Sequence, residues 1–94
     1  MITKAMAQEL GPKGVRVNSI NPGPVRTGFL RSVGLSATAY TDGMDRFKEF
    51  TLLKFIAEPV EIANLASFLA SNDARNMTGS IVVSDTGSMC LSKM

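Results

Sequence analysis

Ninety-four residues make room for one small domain and no more. A composition 45% apolar and 19% charged is ordinarily globular, and a net charge of +2 from scattered Lys and Arg gives no basic run suited to nucleic acid. The absence of histidine excludes a Ser-His-Asp or Cys-His site and any histidine metal centre within this chain, and the lone Cys90 excludes an internal disulfide and a thiolate zinc site. No apolar stretch is long enough to span a bilayer. The first residues lack the basic, apolar, small-residue order of a signal peptide. One cysteine fits a reducing compartment, and Cys90 reads as a semi-buried apolar filler.

Residues 1 to 10 read as a helix, with Ile2, Ala5, Met6 and Leu10 on one face. No N-cap precedes it, as though its first turns were missing. Gly11 is the expected C′ residue, Pro12 prevents continuation, and Lys13-Gly14 turns the chain. Val15, Val17 and Ile20 then suit a buried strand. Asn21-Pro22-Gly23-Pro24 is expected to stop it, because each proline fixes its own φ and lacks an N–H donor. Gly23 allows a close approach to the backbone. A strand ending in such a rigid loop is where open α/β sheets bind ligands, and the alternative is a purely structural turn.

Gly28 to Leu35 reads as two helical turns ending at Gly34. Ser36 is an N-cap for a second segment whose Tyr40, Met44, Phe47 and Phe50 form an apolar face. Gly43 inside it costs about 1 kcal/mol relative to alanine. Together these suit a lid beside the loop, or a surface excursion without ligand contact. Pro59 to Ser71 is the clearest helix. Pro59 stands at N1, Glu61 adds charge to the first turn, and Ile62, Leu65, Ala66 and Leu69 repeat at helical spacing beside Phe68. Asn72-Asp73 ends it. Ser80-Ile81-Val82-Val83-Ser84 reads as a strand covered on both faces, closed by Asp85-Thr86-Gly87. Asp45, Glu49, Glu58 and Glu61 suit solvated helix faces and helix starts rather than paired acid–base work. Arg16 and Asn18 are expected to pack or hydrogen-bond within the sheet in preference to a ligand role.

Two strands joined by a long helical crossover predict a right-handed parallel pair. Such a pair does not make an independent sheet, and one edge would be bare. The expectation is therefore a C-terminal piece of a larger α/β domain.

The run from Ala7 to Thr27, Gln8-Glu9-Leu10-Gly11-Pro12-Lys13-Gly14-Val15-Arg16-Val17-Asn18-Ser19-Ile20-Asn21-Pro22-Gly23-Pro24-Val25-Arg26-Thr27 included, resembles the segment of short-chain dehydrogenases/reductases that follows their catalytic helix. Glu58-Pro59-Val60-Glu61-Ile62-Ala63, Phe68-Leu69-Ala70-Ser71 and Met77-Thr78-Gly79-Ser80-Ile81-Val82-Val83 are similar to the family's last helix and strand. The resemblance spans about residues 1 to 88. It implies an α/β fold, the C-terminal portion of a doubly wound parallel-sheet (Rossmann-type) domain. It implies NAD or NADP as cofactor, with the backbone of Pro22, Gly23 and Val25 and the hydroxyl of Thr27 around the nicotinamide carboxamide. Residues 28–50 would be the substrate lid, with Phe29, Leu30, Tyr40 and Met44 as apolar substrate-facing candidates. The family pattern has Asp-Gly-Gly where this chain has Asp85-Thr86-Gly87, so only a turn is expected there.

The family's Gly-rich phosphate loop is absent, as is its Tyr-x-x-x-Lys pair. Tyr40 is the only tyrosine, and Met44 stands four residues on. No catalytic residue is assigned in this chain, and the 94 residues alone are not expected to be active. The resemblance implies part of an oxidoreductase acting on a carbonyl or alcohol, 3-oxoacyl reductase-like or a general carbonyl reductase. The alternative is a truncated non-catalytic isoform or pseudoenzyme acting by dimerisation. It also implies a homo-oligomer formed through residues 59–71 and 80–84, with no nucleic-acid or membrane partner. The expected location is cytoplasmic. Ser92-Lys93-Met94 resembles a variant of the peroxisomal Ser-Lys-Leu address, against the simpler reading of a polar tail.

Overall fold

A computed structural model of the chain describes residues 1–26, 34 and 36–91, with the side chains of these apart from Ala37, Thr38, Tyr40 and Leu91. Two strands, β1 (Ser19–Pro22) and β2 (Ile81–Ser84), pair in parallel with Ser19 opposite Ile81 and Pro22 opposite Ser84. Ser19 N–H donates to Ser80 O and Gly23 N–H to Ser84 O, each at 3.0 Å. Backbone alternation turns the amides of residues 20 and 22 to the opposite edge. Pro22 therefore occupies a position where a missing N–H costs this ladder nothing. That is why β1 runs on through Asn21-Pro22, which sequence alone marks as a stop.

The strand also begins later than Val15. Continuing the register downward, Val17 would donate to Thr78 O and accept from Ser80 N–H. Instead Val17 N–H donates to Thr78 Oγ1 at 3.1 Å, and its carbonyl accepts from Gly79 N–H at 2.7 Å. Gly79 has φ +74°, which shifts the pairing by one residue. Residues 15–18 stay extended but outside the ladder. Asn18 closes the gap: its Oδ1 accepts from Ser80 N–H at 3.1 Å and its Nδ2 donates to Met77 O at 3.0 Å. Arg16 donates to Met77 O at 3.3 Å and to Ser71 O at 3.2 Å. Both side chains do the internal work expected of them.

Helix α1 (Ile2–Leu10) leads into a 3-10 turn over Gly11–Lys13. Gly11 is right-handed at φ −54°, and Gly14 takes the left-handed position at φ +82° in its place. Pro12 permits this, since a proline suits the first turn of a new 3-10 segment. Ser36 Oγ accepts from Ala39 N–H at 3.1 Å and caps α2 (Ala37–Lys48). Thr51, wholly buried, closes the following turn by donating to Lys48 O and accepting from Lys54 N–H, both at 2.9 Å. In α3 (Pro59–Ala70), Pro59 holds the first turn and Glu61 Oε2 accepts from Glu58 N–H at 2.8 Å. A 3-10 turn (Asn72–Ala74) follows, capped by Ser71, and seats Ala74 at zero exposure. After β2 comes the single-turn helix α4 (Ser88–Leu91).

Among the described residues the buried apolar set is small: Ala7, Met44, Ile56, Ala57, Leu69 and Ala74. The Cα radius of gyration is 16.4 Å, against about 12 Å for a compact domain of this length. The apolar faces are correspondingly open. Phe47 of α2 is exposed, as are Phe50, which falls in the turn after α2 and not on its expected face, and Phe68 of α3. Val83 of β2, expected under cover, is 53% exposed. Cys90, expected half-buried, is exposed on α4, because a one-turn helix leaving the sheet end has no layer to enter. The helix expected over Gly28 to Leu35 falls outside the described residues apart from Gly34, a turn residue at φ +95°.

Candidate functional site

Because β1 and β2 are parallel, their carboxyl ends lie side by side, and two segments leave from there: residues 23–26 and 85–87. The first leaves under tight restraint. Gly23 N–H is tied to Ser84 O, and a Cβ on Gly23 would lie 2.7 Å from both Cα and Cβ of Asp85. Only glycine fits that gap. No positive φ is involved, so the requirement is one of space.

The next residues are strapped to the segment that leads into α3. Val25 forms a parallel bridge with Ala57, and Arg26 N–H donates to Ala57 O at 2.9 Å. The bond runs through Arg26, so Val25 turns its own N–H and C=O away from Ala57. Arg26 Nε meets Glu58 Oε1 at 3.2 Å with both side chains partly in solvent. Such a pair contributes at most about 1 kcal/mol and serves more to hold orientation.

The second segment is built around Asp85. Its Oδ1 accepts from Gly87 N–H at 2.9 Å and its Oδ2 from Met89 N–H at 3.0 Å. These two amides, Met89's foremost and then Gly87's, hold the Asp85 carboxyl below its usual value. Thr86 lies at φ +53°, where a β-branched residue is strained, and its Oγ1 is buried without a hydrogen-bond partner among the described residues. Thr86 O accepts from Leu53 N–H at 3.1 Å. A Cβ on Gly87, at φ +86°, would lie 2.7 Å from Leu52 Cβ. The turn thus touches the post-β1 loop on one side and the chain after α2 on the other.

Two concavities flank this turn. One of about 200 Å³ is bounded by Asn21, Pro22, Gly23, Val83, Asp85 and Met89. Another of about 360 Å³ lies between Leu53, Phe55, Ala57, Val83 and Thr86. A larger hollow of about 450 Å³ runs along Gly14, Arg16, Asn18 and Leu69, beside the start of β1 and away from the strand ends. Ligands of open parallel sheets sit at the carboxyl ends, so the first two are the candidate site. Among the described residues no group of three or more His, Cys, Asp or Glu could hold a metal ion.

Of the residues singled out from sequence, Pro22, Gly23 and Val25 stand together in this loop. Thr27, Phe29 and Leu30 lie outside the described residues, as does the Tyr40 side chain. Met44 is buried in α2. The four carboxylates do structural work or face solvent: Asp45 pairs with Lys48 at 2.9 Å, Glu58 with Arg26, Glu61 caps α3, and Glu49 is exposed. Sequence reasoning passed over residues 51–57 and the anchoring by Asp85. An Asp two residues before a Gly at a strand end is a turn signal that points to Asp85. Nothing local signals that Ala57 will bridge Val25, because that pairing is tertiary.

A parallel β-pair, a crossover of helices and a rigid loop at the strand ends define an open α/β architecture. Comparison with known proteins identifies the family. The profile described as enoyl-(acyl carrier protein) reductase matches residues 1–89. The chain belongs to the short-chain dehydrogenase/reductase family. It is 41% identical over 88 residues to a 3-alpha-(or 20-beta)-hydroxysteroid dehydrogenase of Mycobacterium tuberculosis (strain ATCC 25618 / H37Rv), covering 94% of this chain and 30% of that protein. The structure of a 4-hydroxyisoleucine dehydrogenase complexed with NADH matches with TM-score 0.76 and 36% identity, over 95% of this chain and 35% of that one. An angucycline C-6 ketoreductase with bound NADP matches with TM-score 0.78 and 29% identity, over 95% of this chain and 32% of that one. The chain therefore spans about a third of the length of each of these proteins.

Proposed function

We propose that this chain supplies the nicotinamide-side wall and the substrate lid of an NAD(P)-dependent oxidoreductase, as the C-terminal portion of a Rossmann-type domain. The observation that carries the reading is the strapped loop. Val25 presents a backbone donor and acceptor pointing away from Ala57, beside the Gly23 gap at the strand ends. A carboxamide has one acceptor oxygen and a donor NH2, so this donor–acceptor pair fits it. When bound, the dinucleotide supplies hydride exchange with a carbonyl or alcohol carbon. Pro22, Gly23 and Val25 hold and orient the ring, with the Thr27 hydroxyl as a further partner. Residues 28–50 serve as the lid, and Phe29, Leu30, Tyr40 and Met44 are its proposed substrate-binding residues. Proton transfer falls to a Tyr-x-x-x-Lys pair that these 94 residues do not contain. The substrate class proposed is a 3-oxoacyl thioester or a simple ketone, and the relatives with bound NADH and NADP support either dinucleotide.

The test is NADH- and NADPH-dependent reduction of a 3-oxoacyl thioester and of simple ketones by the longest polypeptide that carries these residues. Turnover with either dinucleotide is the expected result. A polypeptide that contains the pair yet neither binds nor oxidises NAD(P)H overturns the reading.

The 94 residues alone are expected to bind no tighter than about millimolar. Exposed Val60 and Phe68 on α3 and Val83 on β2 support a further proposal, self-association through residues 59–71 and 80–84. These exposed apolar side chains also favour the second reading, a non-catalytic product acting by dimerisation. Sedimentation velocity with Val83→Lys checks the contact: loss of the dimer is expected, and an unchanged dimer refutes it. A cytoplasmic location is proposed, with imaging of a fusion that leaves Ser92-Lys93-Met94 free as its check against a peroxisomal one.

A further inference from the structure

Asp85 makes contacts on two fronts that the proposed reaction does not use directly, and its neighbours Thr86 and Gly87 make a third. Its main chain and Cβ fill the space where a Gly23 side chain would go. Its carboxylate draws in the amides of Gly87 and Met89 at 2.9 and 3.0 Å, which fixes the turn. The turn so fixed is bonded through Thr86 O to Leu53 N–H at 3.1 Å, and Gly87 packs on Leu52, just after the end of α2. The carboxylate thus helps to fix a turn that wedges between the loop of Gly23 and the foot of the lid, together with the Ser88 N–H bond to Asp85 O at 3.0 Å.

We propose that Asp85 is a positioning residue that sets the spacing between the cofactor-side loop at Gly23 and the foot of the lid at Leu52–Leu53. The inference rests on the reading of residues 22–27 as the nicotinamide wall. The physical reason is stiffness. Gly23 is flanked by two prolines and tied at Ser84, so displacement of Asp85 is passed to Val25 rather than absorbed locally. Loss of the carboxylate removes its bonds to the Gly87 and Met89 amides and leaves the turn held by the Ser88 N–H bond to Asp85 O, so the spacing between wall and lid loosens.

The experiment uses the longest active polypeptide with Asp85→Ala and Asp85→Asn. Alanine keeps the Cβ against Gly23 and removes both acceptors; asparagine keeps one. Cofactor KM, carbonyl KM, kcat and melting temperature are measured together. Asp85→Ala is expected to raise the cofactor KM by roughly tenfold, and Asp85→Asn by less, since small misplacements of a bound reactant cost that much or more. A lowered melting temperature with unchanged cofactor and carbonyl KM in both variants marks a purely structural role and overturns the proposal. If Asp85→Ala does not fold, the graded KM of Asp85→Asn decides. A parent polypeptide with no affinity for NAD(P)H overturns the functional reading together with this one; a parent that binds normally beside variants that also bind normally overturns this one alone.

Discussion

Asn18 Oδ1 accepts from Ser80 N–H at 3.1 Å at the point where the parallel ladder loses its register. The side chain replaces a main-chain acceptor, because Gly79 rather than Ser80 has taken Val17 O. Asn18→Ala removes the acceptor of Ser80 N–H in a half-buried place and leaves Met77 O with Arg16 as its donor. A loss of about 1–3 kcal/mol is expected in chemical denaturation. Asn18→Asp keeps the acceptor for Ser80 and should lose less. Equal stability of all three proteins would show that water replaces both bonds.

Thr86 carries a strained backbone and an orphaned hydroxyl. Thr86→Gly removes both and should raise stability by about 1 kcal/mol, read as a melting-temperature increase of a few degrees. Thr86→Val removes the hydroxyl but keeps the β-branch at φ +53°, and should gain less. A lower melting temperature for Thr86→Gly would mean that the threonine methyl contributes more packing than the strain costs.

Gly23→Ala places a methyl 2.7 Å from main-chain and Cβ atoms of Asp85. The turn must shift, at a cost of about 1–3 kcal/mol in melting or denaturation. Weakened dinucleotide binding is expected in the same variant, because Val25 moves with the loop. Gly43→Ala is the control: nothing lies within 4 Å of its added Cβ, and in mid-helix it should stabilise slightly.

Asp85 should impose a pH dependence at the acid end. Its folded carboxyl titrates below the ordinary value of 3.8. The stabilising contribution is therefore complete above that value and is lost as the pH falls through the depressed folded one. The melting-temperature gap between the parent and Asp85→Asn should be steady at neutral pH and narrow below about pH 4. A gap that instead grows towards acid would reverse the sign of the assignment.

Sequence alone determined α3 and the cap of α2, because these rest on contacts three or four residues apart; it put the C′ glycine after α1 at Gly11 instead of Gly14 and did not show α4. Pro59, Glu61 and Ser36 announce α3 and α2 without help from the rest of the chain. It also determined the parallel pair and the rigid loop at its end, since apolar runs separated by a helical crossover leave few other topologies. Arg16 and Asn18 were legible as residues that pack or hydrogen-bond internally, and their partners were not. The limits of β1 were not, because they depend on where Gly79 breaks register and on which edge Pro22 faces. Only the tertiary structure decided that Ala57 straps Val25 and that Asp85 sits against Gly23. Those contacts join residues tens of positions apart, and no local propensity encodes a meeting that exists only after the strands have paired.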